Sequence, residues 1–221
     1  MSFPGGGSAL RDVSFHVPRG EFVFLTGHSG AGKSTILSLL YAHERPTEGE
    51  VRISGYSTGA LRPREVPKLR RRLGIIFQDF RLLDSRTTEE NVAFALEVTG
   101  APRASIPGRT MRALTRVGLA GKARAYPREL SGGEQQRAAI ARAIVNDPPI
   151  VLADEPTGNL DERARNGVFQ LLRDVHAGGT VVVMATHDLD LVRSHPEGRV
   201  LELREGRIVF DSATDDTPGA P

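Results

Sequence analysis

Three features of this sequence predict an α/β fold with helices packed on a mainly parallel core sheet. Four short apolar runs, EFVFLT, LGIIF, PIVLA and TVVVMAT, each lead into a polar residue. Continuous β-branched or apolar runs of this length are typical of strands buried on both faces. Helical patterns lie between the runs, the alternation that builds parallel sheets. Residues about 85 to 146 are mainly helical in pattern and predict a helical subdomain beside the sheet. At 221 residues, 39% hydrophobic and 25% charged, the chain can bury roughly 70% of its unfolded surface without disulfide staples. One domain is expected over residues 1–211. The polar end SATDDTPGAP (212–221) reads as a disordered tail.

In chain order, residues 10 to 25 and 50 to 53 (LRDVSFHV, EFVFL, EVRI) read as short strands joined at Pro18, Gly20 and Gly49, predicting a small antiparallel sheet. EFVFLT runs into the glycine loop GHSGAGKST and then the helical run TILSLLYA. RPREVPKLRRR crowds basic residues together and reads first as a solvated helix face, second as a contact for anionic lipid or a partner. LGIIF stops before Gln78. Thr87 and Glu90 have capping-box spacing for NVAFALEV, Pro107 opens RTMRALTRV and Gly118 closes it. Ser131 with Glu134 repeats the capping box ahead of AAIARAIV. PIVLA ends at Asp154, TVVVMAT before His187, and VLELREGRIVFD is a hairpin pattern turning near Glu205 and Gly206.

Composition narrows the function classes. With no cysteine, disulfides and thiolate metal sites are excluded, and a cytoplasmic setting is favoured. The six histidines lack ligand spacing, and a net charge of +2 makes no case for nucleic acid. No apolar stretch approaches the ~20 residues of a membrane-spanning helix. MSFPGGGSAL lacks the regions of a signal peptide.

The chemistry concentrates at the strand ends, because open α/β sheets bind ligands outside the carboxyl ends of their strands. GHSGAGKST fits G-x-x-x-x-G-K-[ST] between a strand and a helix, the context that motif requires. Gly27, His28, Ser29, Gly30, Ala31, Gly32, Lys33, Ser34 and Thr35 make the loop. Its glycines let backbone N–H groups approach phosphates, Lys33 reaches toward the β- and γ-phosphates, and the Ser34 hydroxyl joins a Mg²⁺ shell. Asp154 is placed to hold Mg²⁺, directly or through water. Glu155 can orient and deprotonate an attacking water as general base. Gln78 has the chemistry to touch Mg²⁺ or that water, and His187 can bond the γ-phosphate and steady Glu155. For Gln78 or His187 alone, an ordinary structural hydrogen bond is the simpler reading. LSGGEQQR adds a second anion site: Ser131, Gly132 and Gly133, braced by Glu134, open a helix whose N–H groups face outward.

A phosphate loop, a Gln after the next core strand, LSGGEQQR, ADEP, NLD and a His after a strand follow one another here in the order found in the ATP-binding cassette ATPases. The sequence resembles that family from about residue 3 to 210. The resemblance implies a P-loop NTPase core, a small antiparallel subdomain, and a helical subdomain carrying the signature LSGGEQQR. It implies hydrolysis of ATP with Mg²⁺ by two chains packed head to tail, with Ser131, Gly132 and Gly133 of one closing over the nucleotide held by the other. Asn159, Leu160 and Asp161 resemble the loop that crosses this interface; in isolation NLD reads as a turn and helix cap. Phe3 falls where the family usually has an aromatic ring stacked on adenine.

His28, Ala31, Gln135 and Gln136 favour the family's bacterial cell-division branch. Its members work on an integral membrane subunit at the cytoplasmic face of the inner membrane, through which peptidoglycan hydrolases are activated. Phe80, Leu82 and Leu83 correspond to the groove for that subunit's coupling helix, or are plain core packing. ATPases of lipoprotein-releasing and macrolide exporters share ADEPTGNLD and are the alternative. A DNA-end or translation cassette without a membrane partner is disfavoured by the single phosphate loop and by a spacing of about 100 residues between Lys33 and Ser131. A P-loop kinase or switch GTPase does not carry LSGGEQQR.

Overall fold

A computed structural model describes residues 10–214. Its main sheet has six strands: β1 (Phe22–Thr26), β4 (Leu73–Ile76), β5 (Ile150–Asp154), β6 (Val181–Ala185), β7 (Arg199–Arg204) and β8 (Arg207–Asp211), in the order β4-β5-β6-β1-β7-β8. The first five are mutually parallel, and β8 turns back antiparallel to β7. The four apolar runs therefore lie side by side. Their register pairs Ile76 with Ala153, Asp154 with Ala185 and Leu25 with Ala185, so their carboxyl ends share one edge.

Strand alternation divides the core between the two faces. Phe24, Ile76, Val151 and Met184 point to one face, under α3 (Thr88–Thr99), α4 (Ile106–Arg116), α5 (Gly132–Ile144) and α6 (Glu162–Ala177). Val23, Leu25, Leu152 and Val183 point to the other, under α1 (Lys33–Leu40) and α2 (Val66–Arg70). A seventh helix, α7 (Leu189–Arg193), follows β6 and is short and capped by Asp188.

The helical stretch follows its local signals. Thr87 and Glu90 form the reciprocal capping box of α3, Pro107 lies in the first turn of α4, and Gly118 takes φ 72 just beyond it. Ser131 and Glu134 form the second capping box, on α5.

The small antiparallel sheet differs from expectation. It consists of β2 (Arg52–Ile53) and β3 (Tyr56–Ser57). EFVFL is not part of it: Phe22–Thr26 is buried at every position, and a strand apolar on both faces is stable only inside the main sheet. Residues 11–20 form no strand. They are pinned by Arg11 N–H to Gly206 O and by Arg199 Nη1 to His16 O. The C-terminal hairpin turns at Glu205 and Gly206, with φ 49 and 77, as a tight two-residue loop requires. Of the tail expected over 212–221, Ser212–Thr214 form a turn bound to Val200 and Asp211; the rest, like Phe3, lies outside the described residues.

Candidate functional site at the strand ends

The phosphate loop begins where β1 ends. Gly27 takes φ 135, and a Cβ there would lie 2.3 Å from the Leu203 carbonyl oxygen, so only glycine fits. Gly30 and Gly32 also take positive φ, 80 and 112. Gly32 is the N-cap of α1 and supplies no side-chain acceptor, and no acidic residue occupies the first turn. The first N–H groups of α1 thus face the loop with the positive end of the helix dipole behind them, the standard arrangement for binding phosphate. Ala31 is buried beneath the loop; His28 is exposed, its Nδ1 2.7 Å from Ser29 O.

Lys33 is 7% exposed and folds back over the loop. Its Nζ donates to Gly27 O at 2.7 Å and His28 O at 3.3 Å, and lies 3.4 Å from Glu155 Oε1. Next to it, Ser34 Oγ donates to Asp154 Oδ1 at 3.0 Å. Burial pushes the Asp154 carboxyl up from its ordinary value, and the Ser34 hydrogen bond opposes this.

Glu155 follows at φ 45, in the left-handed region, with its N–H donated to Ala185 O at 3.0 Å. This conformation is costly for a non-glycine residue and marks functional sites more often than structural ones. It aims the carboxylate between two strands: Oε2 lies 2.8 Å from His187 Nδ1 and accepts from the His187 N–H at 3.3 Å. The His187 ring itself is exposed. Gln78 is exposed just beyond β4. A methyl group placed on Gly158 would sit 3.7 Å from Glu155 Cβ and 3.8 Å from Gln78 Nε2, so the two side chains flank one glycine. A cleft of about 450 Å³ opens beside them, lined by Glu155, Gly158, Asn159, Arg165 and His187.

Two hard oxygens, on Ser34 and Asp154, stand side by side at the foot of the phosphate loop. Among the described residues no cluster of three or more His, Cys, Asp or Glu forms a protein cage for a metal. This pairing fits Mg²⁺, which keeps several waters and takes the rest of its shell from phosphate oxygens, with one or two protein oxygens completing it.

LSGGEQQR stands apart from this cluster. Glu134 Oε2 accepts from Ser131 N–H at 2.9 Å and Ser131 Oγ at 3.1 Å, and Ser131 Oγ accepts from Glu134 N–H at 3.3 Å. The backbone bond from Ser131 holds the Glu134 carboxyl below the usual carboxylate range. Gly132 is exposed, while Gly133 is buried against Ala164. Among the described residues no hydrogen bond or ion pair joins Ser131–Glu134 to the phosphate loop, Asp154 or Glu155. Asp161 is the N-cap of α6, accepting from Ala164 N–H at 2.8 Å, which is the cap that NLD suggests in isolation. The chain therefore gathers Gly27–Thr35, Gln78, Asp154, Glu155 and His187 at one edge and leaves Ser131–Glu134 and Asp161, each at a helix N-terminus, apart from it. Sequence reasoning missed the Lys33–Glu155 ion pair and also Arg142, whose guanidinium bonds the loop after Gln78. Neither pairing has a local sequence signal.

A profile of the family described as ABC transporter matches residues 10–158. The chain is similar to the cell division ATP-binding protein FtsE of Mycobacterium tuberculosis, at 53% identity over 203 residues covering 92% of this chain and 88% of that one. It is 49% identical to FtsE of Escherichia coli K12, over 94% of this chain and 93% of that one. Among solved structures it resembles a dimeric ATP-binding cassette, MJ0796, in a post-hydrolysis state bound to ADP and Pi. The TM-score is 0.86 at 36% identity, covering 96% of this chain and 93% of that one.

Proposed function

The chain belongs to the ABC transporter family of ATPases, and we propose that it is the ATP-hydrolysing subunit of an FtsE–FtsX-type complex in bacterial cell division. Two copies pair head to tail around ATP at the cytoplasmic face of the inner membrane. Their closure is passed through the membrane subunit FtsX to peptidoglycan hydrolases or their activators. The observation that carries this reading is the division of the site: the strand edge holds a phosphate loop, Asp154 and Glu155, while the Ser131 helix tip, another anion site, lies away from it. A tip that caps nothing in its own chain is complementary to a phosphate held by a second copy. The identity to FtsE proteins and the likeness to dimeric cassettes support the same reading.

In this mechanism, the triphosphate draws Lys33 away from Gly27 O and Glu155, because three negative oxygens outbid a carbonyl and a carboxylate for the ammonium. Glu155, released, takes the proton of a water as its oxygen attacks the γ-phosphorus, and the bond to the bridging β–γ oxygen breaks. His187 keeps the Glu155 carboxylate aligned through the 2.8 Å contact. Ser131, Gly132 and Gly133 of the second copy present N–H and hydroxyl groups to the charge that develops on the γ-phosphate. Ser34, Asp154 and Gln78 would hold Mg²⁺, which would supply neutralisation of phosphate charge.

Light scattering of Glu155→Gln tests this. It is expected to form an ATP-dependent dimer that persists, with turnover lower by a factor on the order of 10²–10⁴. A variant that stays monomeric with ATP refutes the reading. Ser131→Arg is expected to bind ATP yet fail to turn over, and full activity would rule out the head-to-tail arrangement.

A further inference from the structure

Arg142 lies near the C-terminal end of α5, eleven residues after Ser131, or about 16 Å along the helix. It is partly buried, and among the described residues it forms no ion pair; burial alone pushes its pKa down. A guanidinium withdrawn from water without a carboxylate needs strong acceptors, and it has two carbonyls from a single turn. Nη1 donates to Arg81 O at 2.5 Å and Nη2 to Phe80 O at 2.8 Å.

That turn is strained. Phe80 and Arg81 both take left-handed conformations, φ 59 and 48, which bulky residues hold only when their surroundings impose it. Phe80 N–H closes the turn on Phe77 O at 3.2 Å, and the Arg81 guanidinium stacks 4.1 Å from the centre of the Phe77 ring. Gln78 sits inside this turn. Among the described residues its side chain has no hydrogen bond of its own, so the backbone of the turn decides where it points.

We propose that Arg142 is a positioning residue for Gln78: by gripping the two carbonyls of the Phe77–Arg81 turn it ties the catalytic placement of Gln78 to the position of α5. This rests on the reading above, in which Gln78 touches the metal or the attacking water. The helix that carries Ser131 at one end carries Arg142 at the other.

The test is a double-mutant cycle on Mg-ATP turnover by the full chain together with its membrane subunit in nanodiscs. Arg142→Met is expected to lower turnover about 10- to 100-fold, while the affinity for a fluorescent ATP analogue changes less than about twofold. In the Gln78→Ala background the same substitution is expected to cost nothing further. Losses that multiply would mean that Arg142 does not act through Gln78, and so would loss of nucleotide affinity; either overturns the proposal while leaving the ATPase reading intact. Parental turnover in Gln78→Ala overturns the role given to Gln78 and the proposal with it. Arg142→Lys, which reaches one carbonyl at a time, is expected to give intermediate turnover and serves in the same cycle if the methionine variant does not fold.

Discussion

Gly133→Ala sets two effects of known size against each other. Gly133 lies in the first turn of α5 with ordinary helical backbone, so alanine gains about 0.5–1 kcal/mol in helix propensity at most. Its added Cβ, however, would lie 2.8 Å from Ala164 Cβ, a distance that real Cβ atoms essentially never show. Ala164 stands on α6 and cannot swing aside, so one helix must shift by several tenths of an ångström. Overpacking of this kind costs about 1–3 kcal/mol. The difference spans about 0–2.5 kcal/mol with a midpoint a little above 1 kcal/mol, which for a chain of this size lowers Tm by roughly 2–5 °C. Gly132→Ala is the control, since its Cβ meets only Leu160 Cδ2 at an ordinary 3.8 Å. Its Tm is expected to stay level or rise slightly. Nucleotide-free calorimetry of the two variants at equal protein concentration decides the matter. A Gly133→Ala variant as stable as its parent, or two variants equally destabilised, would refute the packing argument. Both are expected to lose turnover, because each puts a methyl group at the helix tip proposed above to close on a second chain's nucleotide.

Two further outcomes follow from the geometry. The raised pKa of Asp154 means that the folded chain holds that proton more tightly than the unfolded one. Its contribution to stability is thus fully present below the unfolded pKa and is lost as pH rises through the folded value. Asp154→Asn is expected to raise Tm at neutral pH but not in acid, and to abolish Mg-dependent turnover; an equal Tm shift at every pH would show that ionisation is not the cause. Asn91 is fully buried, accepts from Leu83 N–H and donates to the carbonyls of Leu83, Arg86 and Thr87. Asn91→Leu removes the partner of the Leu83 N–H and of the Arg86 carbonyl, while the Leu83 and Thr87 carbonyls keep the backbone donors of Arg86 and Asn91; it is expected to cost about 2–4 kcal/mol, with faster hydrogen exchange confined at first to residues 83–87, and unchanged exchange there would refute the clamp.

What was legible in the sequence was what is decided locally. The capping boxes at Thr87 and Ser131, the turn at Glu205–Gly206 and the glycine loop each depend on residues a few positions apart, and each formed as expected. The four strand ends converge because the apolar runs are parallel neighbours in one sheet, held in register. Placement in the sheet was less legible. EFVFL fitted both a core strand and a small sheet, and its neighbours β6 and β7 are far away in sequence, so no window around it shows that it is central. Arg142 was invisible for the same reason: within AAIARAIV it reads as one more solvated arginine, and only the folded turn 61 residues earlier supplies its acceptors. The left-handed backbone at Phe80, Arg81 and Glu155 violates local preference. Sequence rules fail at such positions because the local cost is offset by function or by distant contacts.

The central position of β1 also bears on how the chain comes into being. Thr26 opens the phosphate loop, yet its strand is completed by β7, about 170 residues further on, which a ribosome adding 5–20 residues per second reaches roughly 9–34 s later. The carbonyl of Leu203 that backs Gly27 emerges later still. A nascent chain therefore carries the whole glycine loop for most of its synthesis without the wall that shapes it. Until β7 and β8 are added, the sheet edge beside β1 presents unpaired backbone groups.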